Sequence, residues 1–178
     1  MELATLEPKS STQTQKSRTV RSFSGEVGDG QTQLVTFKLG KEEFGVDIMK
    51  VQEIIRMQKI TQVPNAPDYV KGLLNLRGKV IPVIDIRKRF QLECDQDAEQ
   101  TRIVVVDIDG QIIGITVDAV SEVLRLPHEK IEPVPPTVTN VDTEYLKGVG
   151  KLEGRLLILL DLDRFLSDRV RSDLAGIH

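Results

Sequence analysis

The residues of this chain that could carry bond-making chemistry are few: two histidines, one cysteine and a scatter of aspartates. Acyl transfer or hydrolysis needs a nucleophile and a base within hydrogen-bond reach of each other. His128 follows Leu126-Pro127 in a polar turn beside Glu129, with no Ser or Cys nucleophile near it in sequence, and His178 stands at the end of the chain. His128 therefore reads as a solvated loop residue. Cys94 lies among Glu93, Asp95 and Asp97, and acidic neighbours raise a thiol pKa, which keeps the sulfur protonated and unreactive. A lone cysteine also forms no intramolecular disulfide and suits a reducing compartment.

Asp107, Asp109 and Asp118 lack the loop spacing of a calcium site, and Asp109 with Gly110 is already explained as a hairpin turn. Gly72, Gly78, Gly148, Gly150 and Gly154 sit within apolar runs and lead into no helix N-terminus, so no phosphate-cradling loop is present. The expectation is a protein with no catalytic residue, no cofactor and no metal.

What must be positioned instead is a set of apolar and charged residues that occurs twice. Residues 69–86 recur as 145–162 at an offset of 76, with six identities: Tyr69/Tyr145, Lys71/Lys147, Gly72/Gly148, Leu76/Leu152, Gly78/Gly154 and Asp85/Asp161. Nearly every other position exchanges one aliphatic for another, as equivalent strands in equivalent cores allow. Upstream, 33–56 aligns with 102–125 at an offset of 69, with Val35/Val104, Gly45/Gly114, Val51/Val120, Glu53/Glu122 and Arg56/Arg125 identical. The chain is an internal duplication.

Within each copy the elements follow from period and turn chemistry. Strands are expected at 34–39, 43–48, 103–108 and 111–117, with an extended or irregular segment at 51–56 and its repeat 120–125. The runs 70–76 and 80–86 are joined by Arg77-Gly78, a hairpin in which the glycine supplies the positive φ of a tight turn. Pro82 cannot donate to a ladder, which puts it on an edge or at a bulge. The Pro64-Asn65-Ala66-Pro67 stretch and 134–140 are too proline-rich for regular structure, and Asp68 caps a brief helical turn. A short helix is expected at 85–90, an acidic loop at 93–100, and an amphipathic C-terminal helix from Leu162, Phe165, Leu166, Val170 and Leu174. Twenty Val and fifteen Ile against two Tyr, five Phe and no Trp favour a mainly β protein.

Val51, Ile54, Val120 and Val123 flank the identical Glu53 and Glu122; they are either core or the lining of a groove between the halves that accepts an apolar helix face. The duplicate turns carry Arg77 in one copy and Glu153 in the other, so similar halves present opposite charges, which favours choice between partners. A net charge of −3 with both signs interspersed gives no footprint for nucleic acid or an anionic membrane. Residues 1–30 lack the apolar core of a secretory signal, and no run approaches the roughly 18 apolar residues of a membrane span.

Gly45-Val46-Asp47-Ile48 running into Lys50-Val51-Gln52-Glu53-Ile54, then Val70-Lys71-Gly72, Asn75-Leu76-Arg77-Gly78, Pro82 and Asp85, with 114–123 and Glu144-Tyr145-Leu146 in the second half, resemble the CheW family of chemotaxis coupling proteins. The likeness runs from about 33 to 167. It implies two five-stranded SH3-like β-barrels in pseudo-twofold arrangement, with short helices and a C-terminal helix. The first barrel would take about 32–92 and the second about 101–162, with an exchange of strands between the halves left open; outside the likeness, 1–31, rich in Ser, Thr, Gln, Lys and Gly with no apolar period, is expected to be a disordered tail, and 168–178 the end of the last helix. It implies no catalysis. One surface would bind the cytoplasmic tip of a chemoreceptor and another the regulatory domain of the histidine kinase CheA, in a cytoplasmic protein recruited to receptor arrays.

Carried over by position, the resemblance makes Val51, Ile54, Gly72, Asn75, Arg77, Val120 and Val123 receptor-facing, with Gly72 acting through backbone shape and Arg77 meeting a receptor carboxylate or helix polar group. The kinase-facing region falls near Leu76, Gly78 and Lys79 and their counterparts Leu152, Glu153 and Gly154. The alternatives are a CheW-like scaffold of a related pathway such as pilus-based motility, and a nucleic-acid-binding double barrel, which would need a basic face with aromatics in a chain where aromatics are 4% of residues.

Overall fold

The computed structural model describes residues 26–27, 30–90, 92, 99–135 and 145–165. Among the described residues twelve strands run in the order β1 (Glu26–Val27), β2 (Gln31–Leu39), β3 (Glu42–Asp47), β4 (Val51–Arg56), β5 (Val70–Leu76), β6 (Lys79–Asp85), β7 (Arg102–Ile108), β8 (Gln111–Val117), β9 (Ala119–Pro127), β10 (Ile131–Glu132), β11 (Leu146–Leu152) and β12 (Arg155–Leu160). A helical segment follows each copy of the hairpin, α1 (Ile86–Arg89) and α2 (Leu162–Phe165). The fold is mainly β. Leu166, Val170 and Leu174 of the expected C-terminal helix lie outside the described residues, as do Cys94 and all of 1–25. Glu26–Val27, inside the stretch read as a tail, pairs with Gln31 and Thr32.

The turns form as their residues dictate. Arg77 and Gly78 both take positive φ (51° and 85°), as do Asp109 and Gly110 (52° and 87°), the pairing of angles that matches the twist of a two-residue hairpin. Each turn is fastened by the residue two before it: Asn75 Oδ1 accepts from Gly78 N at 3.1 Å, and Asp107 Oδ1 from Gly110 N at 2.9 Å. Asp85 caps α1 by accepting from the amides of Arg87 and Lys88.

The two copies do not fold separately. One sheet has the order β4-β7-β8-β6-β5; the other runs β1-β2-β3-β12-β11-β10, with β9 on the far side of β2. Each therefore takes its first hairpin from the opposite half. The exchanged ladders repeat each other: β3 lies parallel to β12 with Leu159 against Gly45, and β8 lies parallel to β6 with Val83 against Gly114. Likewise Val123 faces Val35 between β9 and β2, and Ile54 faces Val104 between β4 and β7. The ranges 32–92 and 101–162 each supply three strands or more to one sheet and two to the other. Without the two-residue strands β1 and β10, both sheets are five-stranded, the expected pair of SH3-like barrels.

Pro82 corrects one expectation. Its strand, β6, is flanked by β5 and β8 and is not an edge. Leu73, its partner on β5, exchanges both backbone hydrogen bonds with Thr61 (2.9 and 2.8 Å) on its other side, so the Pro82 nitrogen points away from β5, and the ladder to β8 begins only at Val83. The missing N–H costs nothing there.

Apolar side chains gather in three places. Leu74, Ile81, Val83, Ile103 and Val105 fill one barrel, and Leu34, Leu126, Leu157 and Leu159 fill the other. A larger cluster of twenty buried residues, among them Phe37, Phe44, Ile84, Val104, Ile115 and Phe165, lies between the sheets. At roughly 2 kcal/mol for each large side chain removed from water, most of the burial energy sits at the shared face, which ties the halves into one unit. Along it Phe37, Phe44, Phe90 and Tyr145 stack in series with centroids 6.3, 6.3 and 6.0 Å apart.

Candidate functional site

The duplicated glutamates hold the most definite polar geometry on the surface. Glu53 on β4 receives both arms of the Arg77 guanidinium, Nη1 to Oε2 at 2.5 Å and Nη2 to Oε1 at 2.8 Å, the fork-on-fork pairing that fixes a guanidinium in orientation. Those hydrogen bonds first, and the charge of Arg77 after them, hold the Glu53 carboxyl below the usual glutamate range, and the Arg77 pKa is raised in return. In the second copy the turn position carries Glu153, and the equivalent glutamate, Glu122, pairs with Arg155 at 2.8 Å; Arg155 also reaches Glu43 at 3.3 Å. The Arg155 pKa rises mainly through the hydrogen bond to Glu122 and next through Glu43. Arg155 is the duplicate of Lys79, so the arginine moves two residues along the hairpin while the glutamate stays.

A titration checks the first pair. Because the folded pKa of Glu53 lies below its unfolded value, the pair contributes fully at neutral pH and fades as pH falls through the depressed value. Carbonyl-carbon NMR is expected to place the Glu53 midpoint below an ordinary glutamate, and Arg77→Gln to bring it back up; an unchanged midpoint in the variant would show that Arg77 is not the cause.

The Arg77 corner opens on a shallow cleft of about 210 Å³ lined by Gln52, Glu53, Leu76, Arg77, Lys79, Ile81 and Ile112. Gly78 and Lys79 are exposed beside it, and Glu153 and Gly154 are exposed at the equivalent tip, while Leu76 and Leu152 are half-buried against the two barrel interiors. Asn75 is exposed with its side chain turned to cap its own hairpin. Gly72 is buried, at the bulge that interrupts the β5–β6 register between Val70 and Gly72.

The four aliphatic candidates divide. Val51 and Val120 pack against the central cluster as half-buried residues. Ile54 and Val123 are 39% and 54% exposed, yet their cross-strand partners Val104 and Val35 are buried in that cluster. All four thus lie on the face each sheet turns to the other, and Ile54 and Val123 carry that apolar face out to solvent at equivalent points. Two further residues repeat this doubling and were not singled out from sequence: Val80 and Leu156, duplicates at an offset of 76, are 59% and 62% exposed. Their signal was present as an aliphatic kept in both copies, but alternation within a continuous apolar run does not tell an outward position from an inward one. Among the large exposed hydrophobics of the described residues, Met49, at 56%, is the one without an apolar duplicate. Of the residues weighed for chemistry, His128 Nε2 lies 2.8 Å from the Thr32 hydroxyl, and Asp118 receives Arg87 at 2.9 Å.

The CheW-like domain model matches residues 33–170. The chain belongs to the CheW-like family. Among its curated relatives, the chemotaxis protein CheW of Klebsiella aerogenes is 44% identical over 149 residues, covering 84% of this chain and 89% of that protein. CheW of Treponema pallidum is 36% identical, covering 85% and 91%. The crystal structure of the scaffolding protein TtCheW from Thermoanaerobacter tengcongensis superposes with a TM-score of 0.69 at 41% identity, covering 73% of this chain and 84% of that one. The CheW-like match takes in both copies of the duplication, so the exposed apolar pairs and both glutamate–arginine corners fall inside it. No helix among the described residues is long and apolar enough to cross a membrane.

Proposed function

We propose that this chain is a non-catalytic chemotaxis adaptor that couples chemoreceptors to the histidine kinase CheA. The observation that carries this reading, beside the family match, is that large apolar residues stay exposed at duplicate positions of both halves. Burial cannot account for an aliphatic residue kept twice at a solvated position, whereas contact with partners does.

Ile54 and Val123, with Val51 and Val120 behind them, form the surface for the cytoplasmic tip of a receptor: an amphipathic helix laid against them would bury its apolar face. Arg77, oriented by Glu53 and exposed at its outer side, offers that helix a directed cation. The hairpin tips, Leu76, Gly78 and Lys79 on one barrel and Leu152, Glu153 and Gly154 on the other, face the regulatory domain of CheA, with Val80 and Leu156 as apolar centres beside tips of opposite charge. Two modest interfaces held on one rigid body raise the local concentration of kinase near receptor. The protein makes and breaks no bond, and works in the cytoplasm at receptor arrays.

The test is a pull-down with the full chain as bait. A CheA-type kinase and a methyl-accepting receptor are expected to be retained together, and each to be retained when the other is absent. Retention of neither would overturn the reading; capture of RNA or DNA in a salt-sensitive manner would replace it with a nucleic-acid function.

A further inference from the structure

Arg89 closes α1 in the first half; its duplicate at the end of α2 is Phe165, buried in the central cluster. The guanidinium stands between duplicate tyrosines, with its central carbon 4.6 Å from the ring centroid of Tyr145 and 5.5 Å from that of Tyr69. It also donates through Nη2 to the Tyr145 hydroxyl. Its Nε is buried and makes no hydrogen bond, and no carboxylate among the described residues pairs with it. At this half-buried place the two ring faces hold the cation.

Each tyrosine is anchored to a different sheet. The Tyr69 carbonyl accepts from Asp85 N at 2.7 Å at the entrance to β5, and the Tyr145 carbonyl accepts from Asp161 N at 2.8 Å at the entrance to β11. Arg89 itself rides on α1, which leaves β6 directly. Tyr145 is further packed by Phe90 at 6.0 Å and Phe165 at 5.8 Å, one from each half. The geometry points to Arg89 as the joint between the two barrels: one side chain from the first copy engages the same tyrosine in both copies and so fixes how the sheets sit on each other. The arrangement is asymmetric, since the second copy has a phenylalanine where the first has this cation. The joint does not depend on which partners the surfaces bind.

The chain offers a direct reading, because its aromatic chromophores beyond phenylalanine are two tyrosines and no tryptophan, and Arg89 touches both. In Arg89→Met, which keeps length and removes charge, the near-ultraviolet tyrosine dichroism is expected to weaken, and exchange of the Val70, Asp85 and Asp161 amides to quicken on the order of tenfold, while Val105 and Leu157 inside the barrels keep their rates. Arg89→Lys, which retains a cation but not the planar stack, should fall between. Uniform acceleration of all five amides would reduce Arg89 to a stability residue and overturn the joint, as would unchanged exchange at both Asp85 and Asp161. If Arg89→Met does not fold, the same amide comparison in Arg89→Lys decides.

Discussion

Gly72→Ala is expected to lower the unfolding free energy by about 4 kcal/mol, and Gly148→Ala, at the duplicate position, by about 1 to 2. A β-carbon on Gly72 would lie 2.2 Å from the Thr61 carbonyl oxygen and 2.8 Å from its carbonyl carbon, both backbone atoms, and the residue sits at φ +148°. The strain of that φ costs an alanine about 1–3 kcal/mol. Moving Thr61 aside gives up the two bonds it exchanges with Leu73, at about 1 kcal/mol each. A β-carbon on Gly148 would meet the Glu132 backbone oxygen at 2.8 Å and an Ile131 methyl at 3.0 Å, a smaller overlap than the 2.2 Å at Gly72 and one without the strain of a positive φ. Urea unfolding followed by circular dichroism measures both; equal losses would refute the account. The result bears on the proposed receptor-facing role of Gly72, because a broken bulge would impair coupling through the fold alone.

The seam between the two sheets, where Ile54 and Val123 reach solvent, gives the second large effect. Ile54→Glu and Val123→Glu are each expected to weaken receptor binding at least about 100-fold, by forcing an unpaired carboxylate into an apolar contact, while leaving the unfolding midpoint within a degree or two, since both side chains are exposed in the free protein. Val51→Glu is a poorer probe. Val51 packs against the central cluster, so its loss of coupling would be confounded with loss of fold. Receptor affinity by titration calorimetry, beside a melting curve, separates the cases. Full binding by both Ile54→Glu and Val123→Glu would remove the seam as the receptor surface.

Much of this was legible from residues alone. The duplication, the hairpins at Arg77-Gly78 and Asp109-Gly110 and the short helix after Asp85 follow from local chemistry, because a two-residue turn or a cap is decided within four or five residues. Two things needed the folded molecule. The first is partner choice among strands: Val83 and Leu159 are duplicates, as are Gly45 and Gly114, so pairing within a half and pairing between halves bring together the same kinds of side chain, and only closure of both sheets around one shared core selects the exchange. The second is exposure and long-range contact. Glu53 and Arg77, 24 residues apart, meet because β4 and the β5–β6 turn lie at one corner, and Ile54 and Val80 are as apolar as their buried neighbours. Sequence names the side chains and their period; which of them face water is set by where the second sheet ends.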